Sequence, residues 1–446
     1  MCNPSSRRQT RALCRMWAAA VLAGAACGAA SFGQATGRAL FVANHGNLEG
    51  SVSAMAVQPD GALVLLNRVI TGTRPTTQDP CAGCNPYEIA ISPNGRYLAT
   101  VHASGPAVDE QITIFEVAPA GTIAQIAAFL KPGTPMDVVW ISDELLAATH
   151  GDTNPYQLRV YRFDRGALTL TQVELEPVGS FSTYLAVHPS RRYLYINDSG
   201  SVRQVLAYRI EAGGLLTLID TEYTGSYYAL ELAISPDGTK LYAAGGITEV
   251  ELGYDIAPDG TLAPMPGSPF PSVNGLAVSN VAVSADGSHL LAGHGTDGTV
   301  RTLAIDPGTG NLTYTGNSFQ TSPYRSLRDI QALHNLFFVS DDYYKGVYSF
   351  TLNPANGSFT QNGALVLTGG VGTRAMAVWA GGRKGDLNCD GVVNFDDINP
   401  FVLALSDPAG YAAAYPTCPI MNADINNDGV VDFDDINPFV ALLTNP

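Results

Sequence analysis

Basic residues are scarce in this chain: 24 Lys and Arg stand against 40 Asp and Glu in 446 residues, a formal charge of −16. Such a surface repels phosphate backbones and anionic lipid and attracts cations, which excludes nucleic acid as a partner. Long apolar runs are missing after the first 30 residues, so no later stretch reads as a membrane span. Cysteine is sparse as well. Of seven in the chain, Cys2, Cys14 and Cys27 come early, leaving Cys81, Cys84, Cys389 and Cys418 for the folded part. Cys81-Ala-Gly-Cys84 has the spacing of a redox pair or half a zinc site. No second CxxC and no nearby His pair completes a tetrahedron, which favours a small loop-stapling disulfide.

Residues 1–33 read as an address. Arg7, Arg8, Arg11 and Arg15 precede an apolar run of the length of a signal h-region, too short for a membrane anchor. Cleavage near Gly33 fits its small neighbours; Cys27 behind Gly24-Ala25-Ala26 is a lipoprotein alternative. Removing the four arginines moves the charge from −16 to −20. Export, to the medium or the cell surface, is expected, and the four remaining cysteines suit an oxidising compartment.

The stretch 230–265 contains four short runs rich in β-branched and aromatic residues, separated by Asp-Gly and Pro-Asp-Gly turns. Four strands joined by hairpins make one propeller blade. Its inner strand recurs as Glu88-Ile-Ala-Ile-Ser-Pro-Asn-Gly, Asp137-Val-Val-Trp-Ile-Ser, Tyr184-Leu-Ala-Val-His-Pro-Ser, Glu231-Leu-Ala-Ile-Ser-Pro-Asp-Gly, Asn280-Val-Ala-Val-Ser-Ala-Asp-Gly and Asp329-Ile-Gln-Ala-Leu, about 45 to 50 residues apart. A lone blade cannot cover both apolar faces and must stack on neighbours. Residues 39–44 form a second-type strand without an inner partner, whereas Ala375-Met-Ala-Val-Trp-Ala is an inner strand with nothing after it. Joined, they complete a seventh blade from both ends of the chain and remove the open sheet edges. The propeller is expected over residues 37–382.

After a linker at 383–385 the composition changes: residues 385–446 hold ten Asp and no Glu, Lys or Arg. Two metal loops stand out. Asp386, Asn388, Asp390, the Val392 carbonyl and Asp397 form one oxygen set, and Asp424, Asn426, Asp428, the Val430 carbonyl and Asp435 the other. Positions 1, 3, 5, 7 and 12 around a Gly at 6 supply the hard, relaxed oxygen shell that calcium requires. A helix follows each loop, with Phe395, Ile398, Phe401, Val402 and Leu405 on one face and Phe433, Ile436, Phe439, Val440 and Leu443 on the other copy. These stripes are expected to pack on each other. A disulfide between Cys389 and Cys418 would close the first unit, worth on the order of 2–4 kcal/mol.

Loop followed by helix, twice, with Asp at position 12 and no preceding helix, resembles the dockerin type I family over residues 385–443. The resemblance implies a calcium-dependent docking module at 386–446, with two Ca2+ ions and a cohesin-like or other surface protein bound through the C-terminal helices. Its recognition positions correspond to Phe395-Asp396-Asp397 and Phe433-Asp434-Asp435. The Ser/Thr pair usual there is absent, which points away from a cellulosomal cohesin.

Leu185-Ala-Val-His-Pro-Ser-Arg-Arg-Tyr-Leu-Tyr-Ile-Asn-Asp, followed by Leu206-Ala-Tyr-Arg-Ile, is similar to the lactonase family of seven-bladed propellers and to YVTN repeats. The resemblance implies a possible carboxylic-ester hydrolase related to 6-phosphogluconolactonases, with Glu231 activating water against a lactone carbonyl. The Pro-Arg-His that family commonly carries is Ser182-Thr183-Tyr184 here. A phosphorylated sugar would need a basic pocket, and only Arg328 and Arg374 stand at the inner-strand entry positions, which leaves room for a neutral lactone.

Taken in ring order, the inner strands begin with Ala375, Glu88, Asp137, Tyr184, Glu231, Asn280 and Asp329, and the second strands end with His45, His102, His150, Asp198, Gly245, His294 and Asp341. Both sets are expected at one mouth of the central channel, with Glu88, His102, Asp137 and His150 as the preferred cluster beside Glu231, able to run acid–base chemistry or to hold a further ion. Loop tyrosines at Ser226-Tyr-Tyr and Asp341-Asp-Tyr-Tyr are candidates for stacking on a sugar or protein. The fold expected is an all-β seven-bladed propeller with a small α-helical domain of paired calcium loops. The function expected is a secreted propeller that binds a small molecule or protein at its face, with lactone hydrolysis as the alternative.

Overall fold

The structure, a computed structural model, describes residues 38–103, 110–118, 120–131, 133–151, 154–273, 277–295, 297–321, 326–380, 384–388, 393–415, 418, 420–426 and 430–444. The expected signal segment, Cys389 and the loop positions Asp390, Val392 and Asp428 lie outside them. Among the described residues, seven antiparallel sheets of four or five strands make a seven-bladed propeller. The inner strands are Met376–Trp379 in blade one, then Pro86–Ile91, Pro135–Trp140, Leu185–Val187, Leu232–Ile234, Val278–Val283 and Leu327–Leu333 in blades two to seven.

The second strands are buried on both sides, as at Tyr97–His102, Leu145–His150 and Leu336–Asp341, because each blade is covered by a neighbour on either face. That double burial explains their continuous apolar runs in place of strict alternation. Outer strands, such as Leu63–Thr73, are largely exposed or half-buried. Blades are joined through their turns: the Tyr195 hydroxyl donates to the Gly260 carbonyl at 3.0 Å, Tyr242 to Gly310 at 2.8 Å and Ser349 to Gly61 at 2.6 Å. Short fifth strands, Phe270–Pro271 and Val366–Leu367, pair with the third strands of blades five and seven. The sequence pattern did not announce them.

Blade one is closed by both ends of the chain. Ala39–Asn44 pairs with Met376–Trp379 on one side, Ala39 opposite Trp379, and with Glu49–Val57 on the other. The Trp379 indole lies against the Gly95 turn of blade two; a Cβ there would stand 2.2 Å from the indole nitrogen, and Gly95 has φ of 67°. Ending the chain after Arg374 should therefore leave the Ala39–Asn44 edge unpaired and abolish the cooperative melting transition, whereas ending it after Ala380 should not. Thermal melts of the two truncations decide; similar curves would refute the closure.

In the C-terminal region, 3-10 turns at Phe395–Asp397 and Phe433–Asp435 lead into helices α1 (Ile398–Ser406) and α3 (Ile436–Thr444), with α2 (Pro408–Ala414) between them. The two units match bond for bond. Asp397 Oδ1 accepts the Leu387 and Asn388 N–H groups and Oδ2 that of Asn394; Asp435 does the same with Ile425, Asn426 and Asp432.

The expected packing of whole apolar stripes is only half right. Phe401 and Phe439 stack at 4.1 Å in a core with Leu387, Tyr411 and Ala423, and Leu405 and Leu443 lie partly buried against it. Phe395, Ile398, Val402, Phe433, Ile436 and Val440 are exposed. One helical face cannot hold five side chains against a single partner helix, so the residues a turn away point outward. Cys418 is buried and disulfide-bonded.

Candidate functional site

An inner strand sends alternate side chains toward the propeller axis, so its leading residue and the residue two further on share the channel. Glu88, Asp137, Tyr184, Glu231, Asn280 and Asp329 line one cavity of about 280 Å³ with Arg328, and Ala90, Val139, Ala377 and Gln331 continue it inward. At roughly 30 Å³ per liquid water this holds about nine waters, or one small ligand. The mouth is polar and the throat mostly apolar.

Three of the four carboxylates are engaged in joining blades. Asp137 Oδ2 accepts the Leu185 N–H at 2.7 Å, and Oδ1 accepts the Val138 N–H at 2.6 Å. Asp329 accepts the Met376 N–H and, at 3.1 Å, a Gln331 amide N–H. Glu231 accepts the Val281 N–H and, at 2.6 Å, the Asn280 side-chain amide. In each case the backbone donor follows the leading residue of the next blade. Glu88 is the exception, because its counterpart donor, Val138 N–H, is taken by Asp137. The half-buried Glu88 carboxylate makes no hydrogen bond among the described residues.

Burial raises the pKa of all four acids, and repulsion from neighbouring acids adds to it at Glu88, Glu231 and, less, Asp137. Asp137 and Asp329 are pushed up to about 7, chiefly by burial, and Glu88 and Glu231 are raised well above the ordinary carboxylate range. Arg374 pulls Glu88 part of the way back. Burial also keeps the Tyr184 phenol protonated. The ring therefore gives up its protons at higher pH than four ordinary carboxylates would.

The imidazoles do not join the acids. His102 is buried, with Nδ1 3.1 Å from the Cys84 carbonyl and Nε2 3.0 Å from Thr113 Oγ1, and burial lowers its pKa to about 4. His150 Nε2 meets the Tyr161 hydroxyl at 3.0 Å and is likewise depressed by burial. Both stand one strand further from the axis than the acids, where the side chain enters the blade interior and bonds a third-strand hydroxyl. Grouping Glu88, His102, Asp137 and His150 in one cluster is therefore corrected: Glu88, Asp137 and Glu231 share the channel, His102 and His150 do not. His45 lies nearer the rim, 3.1 Å from Asp342, whose other oxygen holds Arg328 at 3.1 Å. No periodicity separates a channel acid that joins blades from one that is left unpaired.

Cys81 and Cys84 form a disulfide, both buried. Among the described residues no three His, Cys, Asp or Glu side chains come together in a metal-binding arrangement. In the C-terminal loops, Asp386, Asp397, Asp424 and Asp435 are buried, and Lys384 Nζ lies 3.0 Å from Asp424 Oδ2.

The raised carboxyls have a consequence for stability. A group that binds its proton more tightly folded than unfolded contributes stability that is complete below the unfolded carboxylate range and fades as pH rises through its folded value. Asp137, Asp329 and the buried Glu251, all near 7, place the loss between about pH 4 and 7. The propeller should melt several degrees lower at pH 8 than at pH 5. Fluorescence of Trp140 and Trp379, both in blades, isolates its transition from the tail; a midpoint that is level or rises with pH would contradict it.

The family profile "Lactonase, 7-bladed beta-propeller" matches residues 144–262, and "WD domain, G-beta repeat" matches 270–302. No curated protein sequence matched the chain. Among solved structures, a candidate 6-phosphogluconolactonase from Bacteroides uniformis superposes with TM-score 0.64 at 13% identity, over 77% of this chain and 99% of its own. A second, from Bacteroides fragilis, gives 0.64 at 15% over 77% and 98%. The periplasmic gluconolactonase of Pseudomonas aeruginosa gives 0.61 at 17% over 76% and 98%. At such identities the likeness is one of fold: a lactonase-like seven-bladed propeller.

Proposed function

We propose that the channel mouth binds a small polyhydroxylated lactone and hydrolyses it, with Glu88 as general base. The observation that carries this is the Glu88 carboxylate, without a hydrogen-bond partner among the described residues, at the wall of a cavity of about 280 Å³. Ionised Glu88 takes a proton from water, the water oxygen adds to the lactone carbonyl, and the Tyr184 hydroxyl donates to the developing oxyanion. The ring C–O bond then breaks, its oxygen receives the proton held on Glu88, and an open-chain hydroxy acid leaves. Glu231, bonded to Asn280 and Val281, orients the substrate hydroxyls and is not the base. The gluconolactonase name of the Pseudomonas relative supports a lactone without phosphate.

The rest of the chain fits an exported protein held to a surface. Residues 1–33 would direct secretion, and residues 386–446 would bind two Ca2+ ions and dock a cohesin-like or other surface protein through the exposed Phe395, Ile398 and Val402 and their counterparts Phe433, Ile436 and Val440. Asp386, Asn388, Asp390, Asp397 and the Val392 carbonyl would hold one ion, with the matching set at 424–435 for the other.

The full-length protein, assayed by base consumption on a panel of aldonolactones, should hydrolyse at least one well above the spontaneous rate. Because the base must be ionised, the catalysed rate should climb with pH through a midpoint above the ordinary glutamate range. A second reading, ligand binding without chemistry, is favoured by the use of Asp137, Glu231 and Asp329 to join blades. Saturable lactone or sugar binding with no turnover at any pH would establish that reading instead.

A further inference from the structure

Arg374 stands two residues before the inner strand of blade one, and Tyr87 immediately precedes Glu88 in blade two. The guanidinium carbon of Arg374 lies 3.6 Å from the centre of the Tyr87 ring, so the side chain spans the gap between the two blades at the rim of the channel. A stacked guanidinium has its plane fixed by the ring beneath it. Tyr87 is the chain neighbour of Glu88, and Arg374 stands two residues before Met376; both Glu88 and Met376 line the cavity, so the stacked pair sits at its edge. Yet among the described residues Arg374 makes no ion pair and no side-chain hydrogen bond. Half-buried and with acids close by, it is unpaired among the described residues. The other arginine of the mouth differs: Arg328 is held by Asp342, itself bonded to His45.

We propose that Arg374 is a carboxylate-binding fork, so that the ligand of the channel mouth is a sugar acid or a lactone that carries a second, free carboxylate. The inference deepens the lactonase reading and rests on the same mouth being the binding site. A planar guanidinium with parallel donors matches a planar carboxylate at two points. Charge favours a monoanion: one unassisted guanidinium balances one negative charge, while a phosphate dianion ordinarily requires further base, and Arg328 is already committed to Asp342. The channel acids do not forbid an anion, because burial raises the pKa of Glu88 and Glu231 and so weakens their hold on a negative charge. Glu88, Tyr184, Asn280 and Glu231 line the cavity beside the fork and are the polar groups left for the ligand's carbonyl and hydroxyls.

Calorimetric titration of the full chain with D-galacturonate and D-galactose, at fixed ionic strength and pH 7, tests the assignment. Galacturonate should bind about 10- to 100-fold more tightly than the neutral sugar, the range expected for one charge-assisted pair. Arg374→Gln should remove that preference and leave galactose binding unchanged, and Arg374→Lys should keep only part of it. If Arg374→Gln melts early, Tyr87→Leu is the second variant: it keeps the charge, frees its plane and should reduce the preference severalfold.

Equal affinity for acid and neutral sugar in the unmodified protein would overturn the assignment, as would a preference that survives Arg374→Gln, and so would galactose 6-phosphate binding more tightly than galacturonate. Binding of neither sugar nor acid would overturn it too. Failure of the hydrolysis reading looks different: galacturonate is held through Arg374 but no lactone, acidic or neutral, is turned over.

Discussion

Full-length Glu88→Gln is expected to hydrolyse lactone about 10²- to 10⁴-fold more slowly than the unmodified chain, the range that a positioned general base contributes. The substitution preserves volume and removes one ionisable group that makes no hydrogen bond among the described residues, so neither the melting temperature nor substrate affinity should fall. The loss belongs in kcat. Asp137→Asn is the contrast within the same ring. Its two oxygens accept the Leu185 and Val138 N–H groups, so an amide NH2 there faces a donor with a donor. That should cost about 1–3 kcal/mol of stability. A Glu88→Gln protein with undiminished turnover would transfer the chemistry to another group or remove it from the mouth altogether.

Chelation should have a comparably large effect at the other end of the chain. Residues 385–446 carry ten Asp and no Lys, Arg or Glu, and buried Asp386, Asp397, Asp424 and Asp435 lie in two loops of matching construction. Without cations, repulsion among these acids opposes the small core around Phe401 and Phe439. At calcium concentrations a hundredfold above the dissociation constant, binding would add about 2.7 kcal/mol per site. EDTA added to the full chain should therefore expose the tail to trypsin at Lys384 and to chymotrypsin at Phe401, leave blade fluorescence unchanged, and be reversed by calcium. A digestion pattern indifferent to EDTA and calcium would refute calcium-dependent folding. Point substitution at Asp397 is a poorer test, since that carboxylate also accepts three backbone N–H groups and its loss would unfold the loop with or without the ion.

Much of the channel was legible before any coordinates. Strand side chains alternate, so once the repeats starting at Glu88, Asp137, Tyr184, Glu231, Asn280 and Asp329 were aligned, their leading residues had to share the axis. The histidines misled because second-strand ends are adjacent to inner-strand beginnings along the backbone; Pro86 stands opposite His102 and Pro135 opposite His150. Adjacency in register does not give side-chain direction. Each imidazole turns into the blade to a hydroxyl, Thr113 or Tyr161, that lies on the third strand. The helices misled for a similar reason: the spacing of Phe395, Ile398 and Phe401 defines one face, but only the partner helix decides how wide a strip of it is covered.

By itself, the sequence determined the repeat, the pairing of the two chain ends and the ring of leading residues, because these follow from period, hairpin turns and the need of every blade for two neighbours. The three-dimensional arrangement alone decided that Asp137 takes the N–H that would have occupied Glu88, that Arg374 lies on Tyr87 without an ion pair among the described residues, and that His102 and His150 are buried away from the channel. Each of these depends on which polar group reaches a shared partner first, a competition between residues dozens of positions apart that spacing along the chain does not record.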